Sequence, residues 1–194
     1  MSTAPRRTLA RAQHDADAFT ALLIPARACE RFEIAGSIRR RKPDIGDVDI
    51  VAIPRFEEIP SADMFATPVL TNLLWHRVDD LLAAGEIKKH ERDTEAGLRT
   101  CWGDKLRSVE FRGCAYDINL ADKDNWGPML AIKTGPAELS KAIVTNLPRY
   151  GYACRDGFHV WDLKCSPGPR MLPELTEEMF FGMAGIPFKE PEKR

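Results

Sequence analysis

The sequence predicts an α+β protein, because segments with the periodicity of helices alternate with segments that have the periodicity of strands. Apolar residues recur at helical spacing in residues 9–23 and again in residues 70–84. Residues 115–120 instead alternate between the two faces of a strand. The 194 residues are 44% hydrophobic, which is enough for a core in one compact unit or two small ones.

Charge and cysteine content exclude several classes of protein. With 28 basic and 29 acidic residues the chain is nearly neutral, so no broad basic surface is expected. The apolar runs are far shorter than the roughly 20 residues of a membrane span, so we expect no membrane partner and a cytoplasmic location. The odd, scattered cysteines predict buried thiols rather than a disulfide framework or a zinc site. They are Cys29, Cys101, Cys114, Cys154 and Cys165.

The first half of the chain contains two predicted helices. Residues 9–23 form an amphipathic helix that Pro25 closes, and residues 70–84 form a second one. Pro60 and Pro68 bracket a loop between the central strand and the second helix.

Three short strands precede Asp117. They are expected at residues 86–89, 99–102 and 106–112, separated by turn residues. In residues 115–120 the alternation predicts that Asp117 lies on one face and the core on the other.

The C-terminal third contains helices and a hairpin. A short helix is expected from Asn125, and a longer one in residues 136–150. Residues 152–162 are typical of a hairpin, and Thr176 is expected to cap a closing helix. A cis bond is expected at Gly135–Pro136, because proline reduces its cost to about 0.5–1 kcal/mol.

Asp47 and Asp49 are the strongest chemical signal. Two aspartates one residue apart on a strand point the same way, and their repulsion favours a cation between them. Gly36 allows a close backbone approach, Ser37 is expected to cap the next turn, and residues 39–42 add positive charge. These residues predict half of a phosphate-handling metal site, although a solvated carboxylate pair is the simpler alternative.

The stretches GSIRR at residues 36–40 and GDVD at residues 46–49 resemble the signature of the X-family DNA polymerases, typified by DNA polymerase beta. The tail LTEEMFFGMAGIPFKEPEKR is similar to the C-terminus of that family. The resemblance implies a nucleotidyltransferase palm in residues 1–121, with a mixed or antiparallel sheet and helices on one side. It also implies a small α/β thumb in residues 122–194, without a lyase or a fingers domain.

The resemblance implies a site with two Mg2+ ions, for which Mn2+ would substitute. By its pattern the catalytic and metal-binding carboxylates are Asp47, Asp49 and Asp117. Two ions held in this way stabilise both the attacking and the leaving oxygen of an in-line displacement at phosphorus.

The resemblance also implies the nucleotide-binding residues Gly36, Ser37, Arg40, Gly46, Thr134 and Gly135. The chain departs from the family where an aromatic pair precedes the threonine and glycine, because Ile132 and Lys133 stand there. Discrimination between sugars is therefore open.

Positive side chains near these motifs are candidates for contact with DNA: Arg39, Arg41, Lys42, Lys133 and Lys141. Exposure to water is an equal alternative for the first three. In the family an arginine at the start of the first helix reaches the triphosphate. Arg6 and Arg7 are candidates for this role, although residues 1–7 are expected to fray.

The resemblance implies a monomeric DNA polymerase that adds deoxynucleotides to a primer 3′-hydroxyl, as in short-gap filling during DNA repair. Weak, salt-sensitive DNA affinity is expected from the near-neutral charge. One alternative is a template-independent enzyme, or one that transfers a nucleotide to a protein or a small molecule. The other is a non-catalytic scaffold that binds DNA ends or a partner.

Overall fold

A computed structural model of the protein describes residues 6–23, 27–59, 67–94 and 97–194. They form a mixed α+β fold. The α-helices are α1 Leu9–Leu23, α2 Gly36–Arg39, α3 Leu73–Ala83, α4 Trp126–Thr134, α5 Ala137–Asn146 and α6 Glu177–Met183. The strands are β1 Arg7–Thr8, β2 Cys29–Ile34, β3 Asp44–Ile45, β4 Asp47–Pro54, β5 Phe56–Ile59, β6 Val69–Asn72, β7 Lys88–Lys89, β8 Glu91–Thr94, β9 Gly97–Thr100, β10 Leu106–Phe111, β11 Cys114–Leu120, β12 Tyr152–Arg155, β13 His159–Asp162 and β14 Arg170–Leu172.

A five-stranded mixed sheet in the order β2-β4-β11-β10-β7 is the centre of the fold. The strands β4 and β11 run parallel. The pairs β2–β4, β10–β11 and β7–β10 are antiparallel. The mixed sheet agrees with the prediction.

The two faces of β4 pack against different elements because its side chains alternate. Val48 and Ile50 belong to the main core, which includes Phe19 of α1 and Leu74 of α3. Val51 points to the other face, where it packs in a smaller cluster with Trp126, Met129 and Leu130 of α4. The residues of β4 therefore connect the sheet to both the N-terminal and the C-terminal helices.

The C-terminal residues have an apolar cluster of their own. Ile143 of α5 and Phe180 and Phe181 of α6 are fully buried there. The predicted hairpin is present as β12 and β13, but β14 adds a third strand that the sequence did not indicate. Thr176 caps α6 as predicted, because its Oγ1 accepts a hydrogen bond from the backbone N–H of Met179.

The second predicted helix begins later than expected. Its predicted start at Leu70 is wrong, because residues 69–72 form β6 and pair with β5. The helix α3 begins after Asn72, whose side chain accepts a hydrogen bond from the backbone N–H of Trp75. A side-chain cap at Asn72 therefore ends the strand and starts the helix. Pro25 and Pro60 lie outside the described residues.

The predicted strands before Asp117 are also corrected. The strand predicted at 106–112 is confirmed as β10, and the one predicted at 86–89 is present in shortened form as β7. The strand predicted at 99–102 is displaced, because residues 97–100 pair with residues 91–94 as the hairpin β8–β9. The strand β11 is buried on both faces rather than on one, because Ala115, Asp117 and Asn119 are buried like the apolar residues between them. A strand with neighbours on both sides and helices near both faces is covered throughout.

The cysteines are all free, but the expectation of buried thiols holds only for Cys114. Cys29, Cys101, Cys154 and Cys165 are partly exposed. Burial raises the pKa of both Cys29 and Cys154 to about 11.

The expected fraying is wrong for Arg6 and Arg7. Arg7 pairs with Ile45 through β1, and its guanidinium lies 3.6 Å from the buried Asp15 carboxylate.

The Gly135–Pro136 bond is cis, as predicted. Within the described ranges, none of the helices combines the length and the apolar character needed to cross a bilayer.

Candidate active site

The register between β4 and β11 places three aspartates on one surface. Asp117 lies directly opposite Asp49, and Ala115 lies opposite Asp47. Paired strands are about 4.8 Å apart, and opposed residues project to the same side of the sheet. Asp47 and Asp49 share a side because they are two residues apart. All three carboxylates therefore arise from adjacent positions on the same face.

The carboxylate of Asp117 already has two partners. The Ser108 hydroxyl donates a 2.6 Å hydrogen bond to Oδ1, and the Arg92 guanidinium donates one to Oδ2. Asn119 adds a clamp between the strands, because its Nδ2 donates to the backbone carbonyls of Ile50 and Asp117, at 3.1 and 3.0 Å. Asp117 is thus fixed in place from both neighbouring strands.

Asp49 carries the electrostatic stress of the site. Its pKa is raised to about 7, mainly by burial and also by the Asp47 and Asp117 carboxylates, against the opposing effect of Lys133 and Arg40. The two cations therefore do not fully compensate the negative charge at this point. A bound cation would relieve this stress.

The start of α2 is packed directly against Asp49. Gly36 has a φ of 60°, and a Cβ at its position would lie 2.6 Å from Asp49 Oδ2. The N–H of Ala35 donates a 2.8 Å hydrogen bond to the backbone carbonyl of Asp49. The chain therefore needs glycine here for both conformation and space.

Ser37 is a residue of α2 and does not cap it, which corrects the expectation. Ala35 occupies the cap position, without a side-chain hydrogen bond. The Ser37 hydroxyl instead accepts a 3.2 Å hydrogen bond from Arg40 Nη2. Arg40 also donates to the backbone carbonyl of Thr134, and a Cβ on Gly135 would lie 3.0 Å from Arg40 Nη1. Four of the predicted nucleotide-binding residues therefore meet between α2 and the end of α4: Ser37, Arg40, Thr134 and Gly135.

A second group of ionic contacts joins α2 to α6. Arg39 donates to Thr134 Oγ1 at 2.7 Å and to both carboxylate oxygens of Glu177 at 2.9 and 2.6 Å. Arg194, whose side chain is fully buried, donates to Glu177 at 3.1 Å. Arg39, Glu177 and Arg194 form a cluster that we call the α2–α6 bridge. It fixes α2 to the C-terminal residues.

The other predicted positive residues differ in their surroundings. Arg41 is exposed, with its guanidinium 3.6 Å from Glu192, and Lys42 donates to the backbone carbonyl of Arg194 at 3.2 Å. Lys141 is exposed on α5, and Lys133 is partly buried on α4. Gly46 has only the Arg6 guanidinium near its open side, 4.0 Å from where a Cβ would lie.

Sequence reasoning missed the residues that hold Asp117. Ser108 is in a predicted strand, but only the pairing of β10 with β11 puts it opposite Asp117. Arg92 is in a strand that the sequence did not predict. Neither residue belongs to a motif, so no local signal could have identified them.

The donor set suits a hard divalent cation, since such ions prefer carboxylate oxygens. The raised pKa of Asp49 agrees with that chemistry. In the described ranges, however, no group of three or more His, Cys, Asp or Glu side chains is arranged to hold a metal ion. At Asp117 both carboxylate oxygens are engaged by Ser108 and Arg92.

No protein-family model matches the chain, and a comparison with curated proteins gives no significant match.

Proposed function

We propose that the protein is a divalent-cation-dependent nucleotidyltransferase, and specifically an X-family type of DNA polymerase. It would transfer a deoxynucleotide from its triphosphate to a primer 3′-hydroxyl and release pyrophosphate, in short-gap filling during DNA repair. The observation that carries the proposal is the register that places Asp117 opposite Asp49. Two aspartates 68 positions apart in the sequence are thereby neighbours in space.

The three carboxylates would bind the cations. Asp47 is exposed at the start of β4, and Asp49 lies partly buried behind it. Bound Mg2+ or Mn2+ would supply Lewis acidity at the phosphate and lower the pKa of the attacking hydroxyl. By the family resemblance, Asp117 would complete the binding of the cation that lies next to the primer 3′-hydroxyl.

The residues around α2 would hold the triphosphate. Ser37 and Arg40 are in hydrogen-bond contact, so one donor group and one positive charge are already positioned together. Arginine suits this task because its guanidinium can donate two parallel hydrogen bonds to phosphate oxygens. Gly46 adds the access that a phosphate needs to reach the backbone, whereas Gly36 fixes the start of α2 against Asp49.

The architecture supports an assignment of residues 1–121 as a palm and residues 122–194 as a thumb. The five-stranded sheet carries the acids, and α4 ends at Thr134 and Gly135, where the sugar of the nucleotide would lie. Lys133 replaces an aromatic residue of the family at this position. We therefore expect the enzyme to discriminate weakly between deoxyribose and ribose.

DNA would bind mainly through its ends and through few ionic contacts. The formal net charge of −1 gives no broad positive field, and each phosphate contact contributes to the salt dependence of binding. The exposed Arg41 and Lys141 are the candidates among the predicted DNA-binding residues with the freest side chains.

Primer extension on a gapped duplex with Mg2+ or Mn2+ tests the proposal. We expect incorporation by the wild type and a loss of about 100-fold or more in Asp47→Asn and Asp117→Asn, since charge stabilisation dominates phosphoryl transfer. Asp93→Asn is the matched control, because Asp93 is an exposed aspartate on β8 and its variant should retain activity.

Two results would contradict the proposal. The polymerase activity is excluded if the wild type incorporates nothing with either metal, or if Asp47→Asn is as active as the wild type. Labelled nucleotide that appears on protein without DNA would instead identify transfer to a protein as the reaction.

A further inference from the structure

The positively charged side chain of Arg92 is in direct contact with Asp117. Its guanidinium donates to Oδ2 of that carboxylate, while Ser108 donates to Oδ1. The side chain of Arg92 is 40% exposed, whereas that of Asp117 is 12% exposed. The arginine therefore reaches a nearly buried acid from the solvent side.

Arg92 belongs to a hairpin that is separate from the main sheet. The strands β8 and β9 form a two-stranded sheet of their own, and they pair with no other strand in the described residues. A two-stranded hairpin is only marginally stable on its own. The hairpin is therefore tied by backbone hydrogen bonds to the five-stranded sheet only at its base, where His90 and Cys101 are hydrogen-bonded to the backbone of Ser108 among the described residues.

The two faces of the hairpin carry opposite charges. Arg92 is directly opposite Arg99 in the β8–β9 register, so the two guanidinium groups are on the same face. Glu91 and Asp93 alternate with Arg92 and therefore point to the other face. The basic face is the one that meets Asp117.

Arg92 and Arg99 destabilise the hairpin by their mutual repulsion, because like charges directly opposite each other are unfavourable. The Asp117 carboxylate compensates one of these charges. Arg99 is exposed and has no ion-pair partner among the described residues. Release of Arg92 from Asp117 would leave two uncompensated arginines side by side, which is a favourable arrangement for a phosphate.

A divalent cation and the Arg92 guanidinium compete for the charge of the same carboxylate. Oδ2 has lone pairs for both a hydrogen bond and an ion, but an ion bound there would lie beside the guanidinium, and the two positive charges would repel each other. The charge of Asp117 is thus already partly neutralised by a side chain of the protein itself.

We propose that Arg92 is a positioning residue that competes with the divalent cation for Asp117. When the cation binds, the Arg92 guanidinium leaves Asp117 and donates its hydrogen bonds to a DNA backbone phosphate instead. This inference rests on the proposed function, since the phosphate is that of the nucleic-acid substrate. It follows that the cation and the DNA bind cooperatively, because each favours the state in which Arg92 has left Asp117. Such coupling is reciprocal between the two ligands.

Mn2+ binding in the absence of nucleotide tests this proposal without depending on turnover. Free Mn2+ is measured by electron paramagnetic resonance in titrations of wild type, Arg92→Ala and Arg99→Ala, each with and without a gapped DNA duplex. We expect Arg92→Ala without DNA to bind Mn2+ about tenfold more tightly than the wild type, a typical size for such coupling. The wild type should reach that affinity only when DNA is present.

Arg99→Ala is the matched control, since it removes an arginine from the same face that makes no contact with Asp117. It should keep the weak DNA-free Mn2+ affinity of the wild type. Arg92→Lys is a second variant that keeps the charge but loses the planar guanidinium, and its affinity should be intermediate. It decides the question if circular dichroism shows that Arg92→Ala is unfolded.

The proposal is overturned if Arg92→Ala and Arg92→Lys bind Mn2+ with wild-type or lower affinity, or if no variant binds Mn2+ at all. Failure of the proposed polymerase function would give a different experimental result. In that case primer extension is absent, while Mn2+ binding still responds to Arg92→Ala.

Discussion

Gly36 and Asp49 are so close that no side chain fits between them: a Cβ on Gly36 would lie 2.6 Å from Asp49 Oδ2. The first residue of α2 and the second aspartate of β4 are therefore mutually constrained. The loop that would receive the triphosphate and the strand that carries the acids form one structural unit. Four predictions follow from this and from three other groups of contacts.

Gly36→Ala should destabilise the protein by about 2 kcal/mol and abolish nucleotide transfer. The φ of 60° costs a residue with a side chain about 1–3 kcal/mol, and the new methyl group displaces the Asp49 carboxylate. Urea denaturation measures the stability and primer extension the activity. Gly182→Ala is the control, because nothing lies within 4 Å of a Cβ there. That helix substitution should stabilise the protein by up to about 1 kcal/mol.

Glu177→Ala should destabilise the protein by about 3 kcal/mol. It leaves Arg39 and Arg194 of the α2–α6 bridge without their shared carboxylate, and loss of one partner of a buried ion pair typically costs about 3–5 kcal/mol. The Glu177 side chain is 12% exposed, which places the estimate at the lower end. Urea denaturation measures the change.

Glu178→Ala is the control for this cluster, because Glu178 is the exposed neighbour in the same first turn of α6. Its effect should stay within about 0.5 kcal/mol. Equal effects of the two substitutions would mean that the α2–α6 bridge does not stabilise the fold.

Asp49→Asn should stabilise the protein, and by more at high pH than at low pH. The folded protein keeps the Asp49 proton up to a pKa of about 7, whereas the ordinary pKa of an aspartate is 3.8. The stability that this proton contributes is full below about pH 4 and is lost as the pH rises through 7. The difference between the urea midpoints of variant and wild type should therefore grow from pH 5 to pH 8.

Asp93→Asn controls for the general loss of one negative charge, since Asp93 is exposed on β8. If the advantage of Asp49→Asn is the same at pH 5 and pH 8, then Asp49 is ionised throughout this range and the predicted stress is absent.

Asp15→Asn should destabilise the protein by about 3 kcal/mol at pH 7, because Asp15 is fully buried and pairs with arginines. Arg11 donates to it at 2.8 Å and Arg112 at 3.1 Å. Burial by itself would raise the pKa of Asp15, but these hydrogen bonds outweigh it and lower the pKa. The contribution of Asp15 to stability is therefore present above the ordinary carboxyl range and is lost as the pH falls through the lowered pKa.

Urea denaturation at pH 7 and in acid measures this effect, and Asp17→Asn is the control. Asp17 is exposed on the same helix and accepts a hydrogen bond from Gln13. Its substitution should change the stability by less than about 0.5 kcal/mol. A pH-independent cost of Asp15→Asn down to strong acid would contradict the assigned role of the carboxylate charge.

Much of the fold was accessible from the sequence because local rules dominate there. The helix over residues 9–23 and the hairpin at residues 152–162 were predicted from periodicity and turn residues. The start of α3 was missed, because the apolar period continues through Leu70 although that residue is 65% exposed in β6. Pairing of residues 69–72 with β5 outweighed the helical periodicity at that point.

The sequence by itself determined which residues we propose for the site: the aspartates of β4, the glycine and serine before them and, through the family resemblance, the acid of β11. Their types and short spacings encode that information locally. Only the tertiary structure decided that Asp117 lies opposite Asp49 and that Arg92 and Ser108 occupy its carboxylate. The physical reason is that strand register and hairpin position depend on packing between residues distant in the chain, which no short segment specifies.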